Sequence, residues 1–202
     1  MSSKVIEKAY PEEKLGTVAL VGGKPGIIEY SDLGEGYMYA RDKKGEFLFF
    51  HGSIAIHILN VAFMSKAGLN LPFHKARKKI CSLEPGPGGG RMVERETIKF
   101  EMFIFDAIPQ AKNTLFFETT REEEFAPLKN KTGPDSIETC MQGLIEKYAG
   151  WLEQCGVKVP RNDGGRSVYR IEISPHFAMD VETLKNRLGS SVNKISEDTL
   201  LA

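Results

Sequence analysis

Net charge is the first thing this sequence lacks. Lys and Arg together number 27, as do Asp and Glu, so the 202-residue chain is formally neutral at pH 7, with a pI of about 6.9. A nucleic-acid binder usually carries a basic footprint, so nucleic acid is not expected as a partner. A local basic pocket for a phosphorylated metabolite remains compatible with this balance. Cysteine is scarce: Cys81, Cys140 and Cys155 are too few and too scattered for a disulfide framework or a zinc site. Cys140 and Cys155 fall where an amphipathic helix is expected and read as buried free thiols. The N-terminal MSSKVIEKAYPEEK has no signal-peptide apolar core. The longest apolar run, residues 54–64, is interrupted by His57 and Asn60 and is too short to span a membrane. These absences lead us to expect a soluble, cytoplasmic protein with no membrane partner. G-x-S-x-G, H-E-x-x-H, Walker A and CxxC motifs are also missing. His51, His57, His74 and His176 have no ligand spacing, so they read as loop or packing residues and no metal site is expected from them.

What is present is a hydrophobic content of 41%, enough for one large domain or somewhat more. Residues 15–21 (LGTVALV) and 26–30 (GIIEY) read as a hairpin turning through Gly22-Gly23-Lys24-Pro25. Residues 31–44 read as a loop with room for one helical turn, 46–50 (EFLFF) as a buried strand, and 53–64 as a helix buried on most sides. Pro72 makes 71–78 extended at first, then basic. Residues 84–91 (EPGPGGGR) read as a mobile surface loop; no strand runs directly into it and no Lys-Ser/Thr follows, which disfavours a phosphate loop. Residues 96–111 read as a helix and 114–119 as a strand. From Pro134 onward, Asp135 and Glu138 suggest a capping box, and Ile137, Met141, Leu144, Tyr148, Trp151 and Leu152 recur at helical spacing, with Gly156 as the stop. A polar loop (160–166), a half-buried strand at 167–174 and a tail from Asp180, helical or irregular, complete the chain. The expected class is α/β with a mixed sheet and a small C-terminal subdomain.

One short stretch has an unusual composition. In 122–130 (EEEFAPLKN), three glutamates precede a segment with a single lysine, Lys129. Pro127 fixes its own φ and pushes Ala126 out of the helical region, so the segment should run extended and could aim an ammonium at a fixed anion. A solvated loop with Lys129 in water is the plainer alternative from spacing alone.

The order of several strings is more specific. KVIEK (4–8), LGTVALVGGKPGIIEYSDL (15–33), FLFFHGSIAIH (47–57), LPFHKARKKI (71–80), TIKFEMFIFDAI (97–108), REEEFAPLKN (121–130) and EISP (172–175) resemble, in that order, the eukaryotic-type UDP-N-acetylglucosamine pyrophosphorylases. The resemblance covers most of the chain and is to the family's C-terminal portion. It implies a Rossmann-like, glycosyltransferase-A type nucleotidyltransferase domain, with 1–133 as the C-terminal part of the catalytic domain on its sugar-phosphate side. Residues 134–202 would form a helix and a small α+β subdomain. It also implies an enzyme, a uridylyltransferase of UDP-N-acetylglucosamine biosynthesis that makes UDP-N-acetylglucosamine and pyrophosphate from UTP and N-acetylglucosamine 1-phosphate with Mg²⁺.

Roles follow from the matched positions. Glu29 and Tyr30 match a Glu-Tyr pair that contacts the sugar, and Gly16 matches a glycine whose backbone lines the same pocket. Lys129 matches the catalytic lysine of a Ser-Pro-Leu-Lys-Asn string that meets the sugar-linked phosphate. Lys99 resembles a lysine on the nucleotide side. Nucleotidyl transfer depends on positioning and on cancelling phosphate charge, which suits a lysine on a rigid arm. Glu122, Glu123 and Glu124 have no catalytic role in this reading and are expected to hold the arm through backbone or basic partners.

The pattern is broken in two places. Where the family has Gly-Asn-Ile-Ala-Asn-His, this chain has Gly52-Ser53-Ile54-Ala55-Ile56-His57, so a sugar-contacting asparagine becomes Ser53 and a second asparagine becomes Ile56. Serine keeps a donor and an acceptor on a shorter reach, and an unmade hydrogen bond in a closed pocket costs on the order of 1–3 kcal/mol. The family's Leu-x-Gly-Gly-x-Gly-Thr-Arg-Leu nucleotide loop and its Mg²⁺-holding aspartate have no counterpart here. The chain therefore reads as a sugar-phosphate-binding half whose partners are the missing N-terminal half or a full-length relative. A truncated gene model, a split enzyme and a non-catalytic relic or regulatory subunit are the open explanations. A relative acting on another sugar 1-phosphate is a further alternative.

Overall fold

The computed structural model describes residues 1–65, 69–189 and 192–202. They pack as two compact units, Met1–Thr119 and Thr120–Ala202. The architecture is mixed α/β. The line drawn from sequence at 133/134 followed the strong helix signal there, whereas the packing line falls ahead of the 122–130 segment.

The first unit contains β1 (Ser2–Glu7), β2 (Gly16–Val21), β3 (Lys24–Ile28), the single turn α1 (Glu35–Met38), β4 (His51–Ile58), the single turn α2 (Val61–Met64), β5 (His74–Glu84), β6 (Arg91–Glu101), a 3-10 helix at Ile104–Gln110, and β7 (Leu115–Glu118). Five strands form a mixed sheet in the order β3-β2-β4-β1-β7. Its pairings are antiparallel except β1 with β7, which run parallel. The β2–β3 turn closes on two residues, Gly22 and Gly23, at φ of 58° and 77°. Both φ values are positive, as a twist-matched two-residue hairpin needs, and glycine supplies them without steric cost. Pro25, which has no N–H to donate, lies on the edge strand β3. Val5, Ile6, Leu15, Ile27, Leu33, Ala107 and Ile108 are the buried apolar residues of this unit.

Three expectations are corrected in this unit. Residues 53–64 are not a helix: β4 occupies the middle of the sheet, and α2 has no buried residue. Ile54, Ile56 and Ile58 are β-branched and alternate, which suits a pleated strand better than a helical face. Residues 96–111 are not one helix either: β6 pairs with β5 over eleven consecutive positions, from His74↔Glu101 to Glu84↔Arg91, and only then does the 3-10 turn begin. The glycines of 84–91 form the tip of this ribbon, with Gly88 and Gly89 at positive φ, so a strand does run directly into this stretch, contrary to the sequence reading. Finally, 46–50 is no strand. Phe47 makes one bridge with Arg41, and Leu48 and Phe50 are exposed. Local turn bonding wins there: Asp42 Oδ1 accepts the Lys44 and Glu46 N–H groups, and the Arg41 guanidinium stacks 3.7 Å from the Phe47 ring.

The second unit contains the single turn α3 (Arg121–Glu124), α4 (Ile137–Gln154), β8 (Ile171–Ile173), α5 (Val181–Leu188) and β9 (Thr199–Leu201), with β8 and β9 parallel. Its core joins Ala149, Trp151 and Leu152 of α4 to Val157, Ile171, Ile173, Ala178, Leu184, Leu188 and Ile195. The α4 cap is one residue later than expected. Ser136, rather than Asp135, is the N-cap; its Oγ accepts the Thr139 N–H while Thr139 Oγ1 accepts the Ser136 N–H. Gly156, at φ 86°, follows the helix end. The strand expected over 167–174 shrinks to three residues, because Ser167 and Arg170 give their N–H groups to Glu146 and Asp198 side chains instead of to a ladder. Cys140 and Cys155 are half-buried rather than buried, and Cys81 is exposed.

Candidate functional site

Three of the sequence-predicted residues meet in the first unit. Gly16 opens β2 and pairs across the sheet with Ser53 of β4. Glu29 follows the end of β3 and comes back over the same spot: a Cβ placed on Gly16 would stand 3.9 Å from Glu29 Oε2 and only 2.7 Å from Ile27 Cγ2. Glycine at 16 is therefore what lets the Ile27 side chain pack against the β2 backbone, with the Glu29 carboxylate beside it. Ser53 is buried, and its Oγ accepts the Ala55 N–H at 3.3 Å. That contact lies in a bulge. Ser3 pairs with His57 and Val5 with Ser53, so β4 spends extra residues there, and Ala55 takes a left-handed φ of 60°. Bulges of this type re-aim side chains and recur next to functional sites. Ile56 lies within the bulge, between Ser53 and His57, and lines an apolar cleft of about 270 Å³ with Ile58, Leu115 and Phe117.

Tyr30 is exposed at the turn that follows β3. The Glu29 carbonyl holds this turn by accepting the Asp32 N–H at 2.9 Å and the Leu33 N–H at 3.2 Å, and Leu33 is buried. Two further ionisable groups flank the strands. Lys8 gives its Nζ to the Pro11 carbonyl at 2.7 Å. Burial lowers its pKa more than Glu13 and Glu12 raise it. His57 Nδ1 lies 2.8 Å from Ser3 Oγ, and burial pushes its pKa down. Lys99 stands apart from this group, on the β5–β6 ribbon, where its Nζ donates to Glu101 Oε1 at 2.6 Å. It is not brought next to Gly16, Glu29 and Ser53 by strand pairing.

Lys129 belongs to the second unit. The arm that carries it is extended after α3, meets α4 at Ala126 and is held at Lys129 and Asn130 by the residues just before α4. Lys147 Nζ donates to the Glu123 carbonyl at 2.7 Å, Cys140 Sγ–H donates to the Ala126 carbonyl at 3.2 Å, and Ala126 lies against Gly143. Both the Lys129 and Asn130 N–H groups donate to the Asp135 carbonyl, at 2.7 and 2.9 Å. Asn130 Nδ2 adds a bond to the Pro134 carbonyl at 2.7 Å. Asp135 reaches this geometry at a left-handed φ of 55°, a conformation aspartate adopts more readily than most residues. A groove of about 700 Å³ runs between residues 121–126 and α4.

Sequence reasoning missed one cluster. His74 Nε2 lies 2.8 Å from Asp106 Oδ2, and its Nδ1 lies 3.3 Å from Asp32 Oδ2. The available signal was that Asp32 and His74 both stand inside strings that resemble the family. Among the described residues, no group of three or more His, Cys, Asp or Glu could hold a metal ion. No helix among them is long and apolar enough to cross a membrane.

No protein-family model matches the chain. It is 35% identical over 198 residues to a Dictyostelium discoideum protein named as a probable UDP-N-acetylglucosamine pyrophosphorylase, covering 91% of this chain and 39% of that one. A Caenorhabditis elegans protein of the same name is 34% identical over 194 residues, with the same coverage of 91% and 39%. The Saccharomyces cerevisiae UDP-N-acetylglucosamine pyrophosphorylase is 32% identical over 169 residues, 79% of this chain and 35% of its own length. In three dimensions all of this chain matches 49% of a candidate UDP-N-acetylglucosamine pyrophosphorylase from Entamoeba histolytica, with a TM-score of 0.78 and 27% identity. The chain thus spans about two fifths of the curated relatives it matches.

Proposed function

This chain belongs to the UDP-N-acetylglucosamine pyrophosphorylase family over the two fifths of its relatives' length that it spans, and we propose that it forms the sugar-phosphate side of a uridylyltransferase site. The five-stranded sheet is then the sugar-side part of a Rossmann-like, glycosyltransferase-A type domain. The observation that carries this reading is the convergence of Gly16, Glu29 and Ser53, which come from three separate segments yet share one spot on the sheet.

In this reading Glu29 accepts sugar hydroxyls over the bare Gly16 backbone, Tyr30 covers the sugar from the exposed turn, and Ser53 supplies a shorter polar contact than an amide would. Lys129 supplies a point charge to the sugar-linked phosphate from an arm whose backbone is fixed by Asp135 and whose middle is fixed by α4. An ammonium held in place beforehand costs little reorganisation when negative charge grows on a phosphate. Lys99 is kept on the nucleotide side, with Glu101 to displace first. The substrates are UTP and N-acetylglucosamine 1-phosphate. Mg²⁺, where bound, offsets phosphate charge; the described residues of this chain do not form a set that would hold it. UTP and the metal would be held by a nucleotide loop of the family type, on a longer product of the same gene or on a partner.

The test is pyrophosphate release from UTP, Mg²⁺ and N-acetylglucosamine 1-phosphate, with the chain joined to or mixed with a family segment that carries the nucleotide loop. Lys129→Ala should lower kcat/KM by about 10²–10³, the scale for losing one fixed donor. An unchanged kcat/KM would remove Lys129 from the site. A folded chain that never turns over, in any such mixture, would favour the non-catalytic alternative.

A further inference from the structure

We propose that His74 is a positioning residue for the Glu29–Tyr30 segment, tying the turn that follows β3 to the 3-10 helix. The inference rests on the reading that Glu29 and Tyr30 contact the sugar, and it adds a group that touches neither. Asp32 hydrogen-bonds through its N–H to the Glu29 carbonyl, at 2.9 Å, so its side chain is one turn away from the sugar-contacting pair. That side chain reaches His74 Nδ1 at 3.3 Å, while Asp106 reaches Nε2 at 2.8 Å. A carboxylate only accepts, so an imidazole bridging two of them has both nitrogens protonated and carries a positive charge.

Two carboxylates favour that charged form, and partial burial opposes it. The ring packs 4.9 Å from Phe103, which stacks on Phe105, so one side of it is dry. Across the ribbon, Glu101 is the Cα partner of His74, and its own carboxylate is engaged by Lys99 at 2.6 Å. Asp32 and Asp106 are thus the carboxylates in contact with the ring. Burial alone lowers the imidazole pKa, but the bonds and charges of Asp106 and Asp32 outweigh it and leave the pKa raised. The direction of the pH effect follows. The bridge is complete below the ordinary histidine range and is lost as pH rises through the raised value, where one N–H disappears and one carboxylate is released.

Deprotonation would therefore loosen the Glu29–Tyr30 turn without removing any substrate contact. A role in stability alone would not produce a pH-dependent affinity with the midpoint of this one ring. The experiment is an NMR pH titration of the folded chain, following the His74 ring and the Glu29 and Tyr30 amides together. Calorimetric affinity for N-acetylglucosamine 1-phosphate is measured in parallel over the same pH range, with the His74→Gln profile as the control for the ligand's own phosphate titration. The expected result is that both amides move with the His74 midpoint and that affinity falls roughly fivefold or more across it. Asp32→Asn should carry the ring midpoint, the amide midpoint and the affinity profile downward together, and His74→Gln should flatten the amide profile and leave only the ligand's own titration in the affinity profile. Amides that ignore the His74 titration, or an affinity profile unmoved by Asp32→Asn, would overturn the proposal. A wild-type chain that binds no sugar phosphate at any pH would overturn the site reading instead, and with it the positioning role; the amide shifts would still report whether the bridge holds the turn.

Discussion

Replacing Gly16 with alanine tests the packing on which the candidate site is built. The new methyl would lie 2.7 Å from Ile27 Cγ2, a distance real Cβ atoms essentially never show, and 3.7 Å from the Ile28 carbonyl oxygen. Ile27 cannot easily yield. It is buried, it sits in the β3 ladder opposite Val18, and its branched side chain is stiff at χ1. Forcing a methyl into such a site costs about 1–3 kcal/mol. With a urea slope of about 2 kcal/mol/M, the midpoint should fall by roughly 0.5–1.5 M. Far-UV circular dichroism is the appropriate probe, because the single tryptophan, Trp151, lies on α4 in the other unit. Gly36→Ala is the control. Its Cβ would meet nothing within 4 Å and its φ is not positive, so that variant should be neutral or more stable by up to about 1 kcal/mol. A Gly16→Ala protein that unfolds at the wild-type midpoint would mean that Ile27 has room to move. The packing of Ile27 would then not require glycine at 16.

Two further outcomes follow from local structure. Ser136→Ala removes one half of the reciprocal cap at the start of α4 and should cost about 1 kcal/mol, read from the Trp151 fluorescence transition in urea; no change would mean the cap is not formed. Ala55→Gly relieves a left-handed residue in the β4 bulge and should stabilise the fold by up to about 1 kcal/mol, with destabilisation counting against the strained geometry.

The parts of the fold that could be read from the sequence are those whose cause is local. Gly22-Gly23 mark a hairpin turn, which the sequence reading spread over four residues and the structure closes on two, and the helical spacing from Ile137 to Leu152 specifies α4 without reference to anything else. What could not be read depends on partners far along the chain. β6 carries polar and apolar residues that fit a helix as well as a strand, and only its register against β5 decides. β4 was misread because its isoleucines also satisfy a helical spacing, and burial between β1 and β2 is not visible in a single segment. The site shows the same division. Gly16, Glu29 and Ser53 were selected by the order of strings that resemble a family, and the structure then supplies the reason glycine stands at 16. The His74 bridge escaped notice because Asp32 and Asp106 lie 42 and 32 residues away from it, with no spacing rule to connect them. The arm of Lys129 was expected to be stiff because of Pro127; much of its anchoring comes from Lys147, Cys140 and Asp135, which the string does not contain.

The central claim is that Gly16, Glu29 and Ser53 form a sugar-phosphate pocket, and titration calorimetry on the folded chain tests it most directly. The account predicts that N-acetylglucosamine 1-phosphate binds more tightly than UTP, and that Glu29→Ala weakens the sugar phosphate by about ten- to a hundredfold, the scale for losing a charged hydrogen-bond acceptor, with little change for UTP. Equal losses for both ligands, or sugar-phosphate binding unaffected by Glu29→Ala, would contradict it.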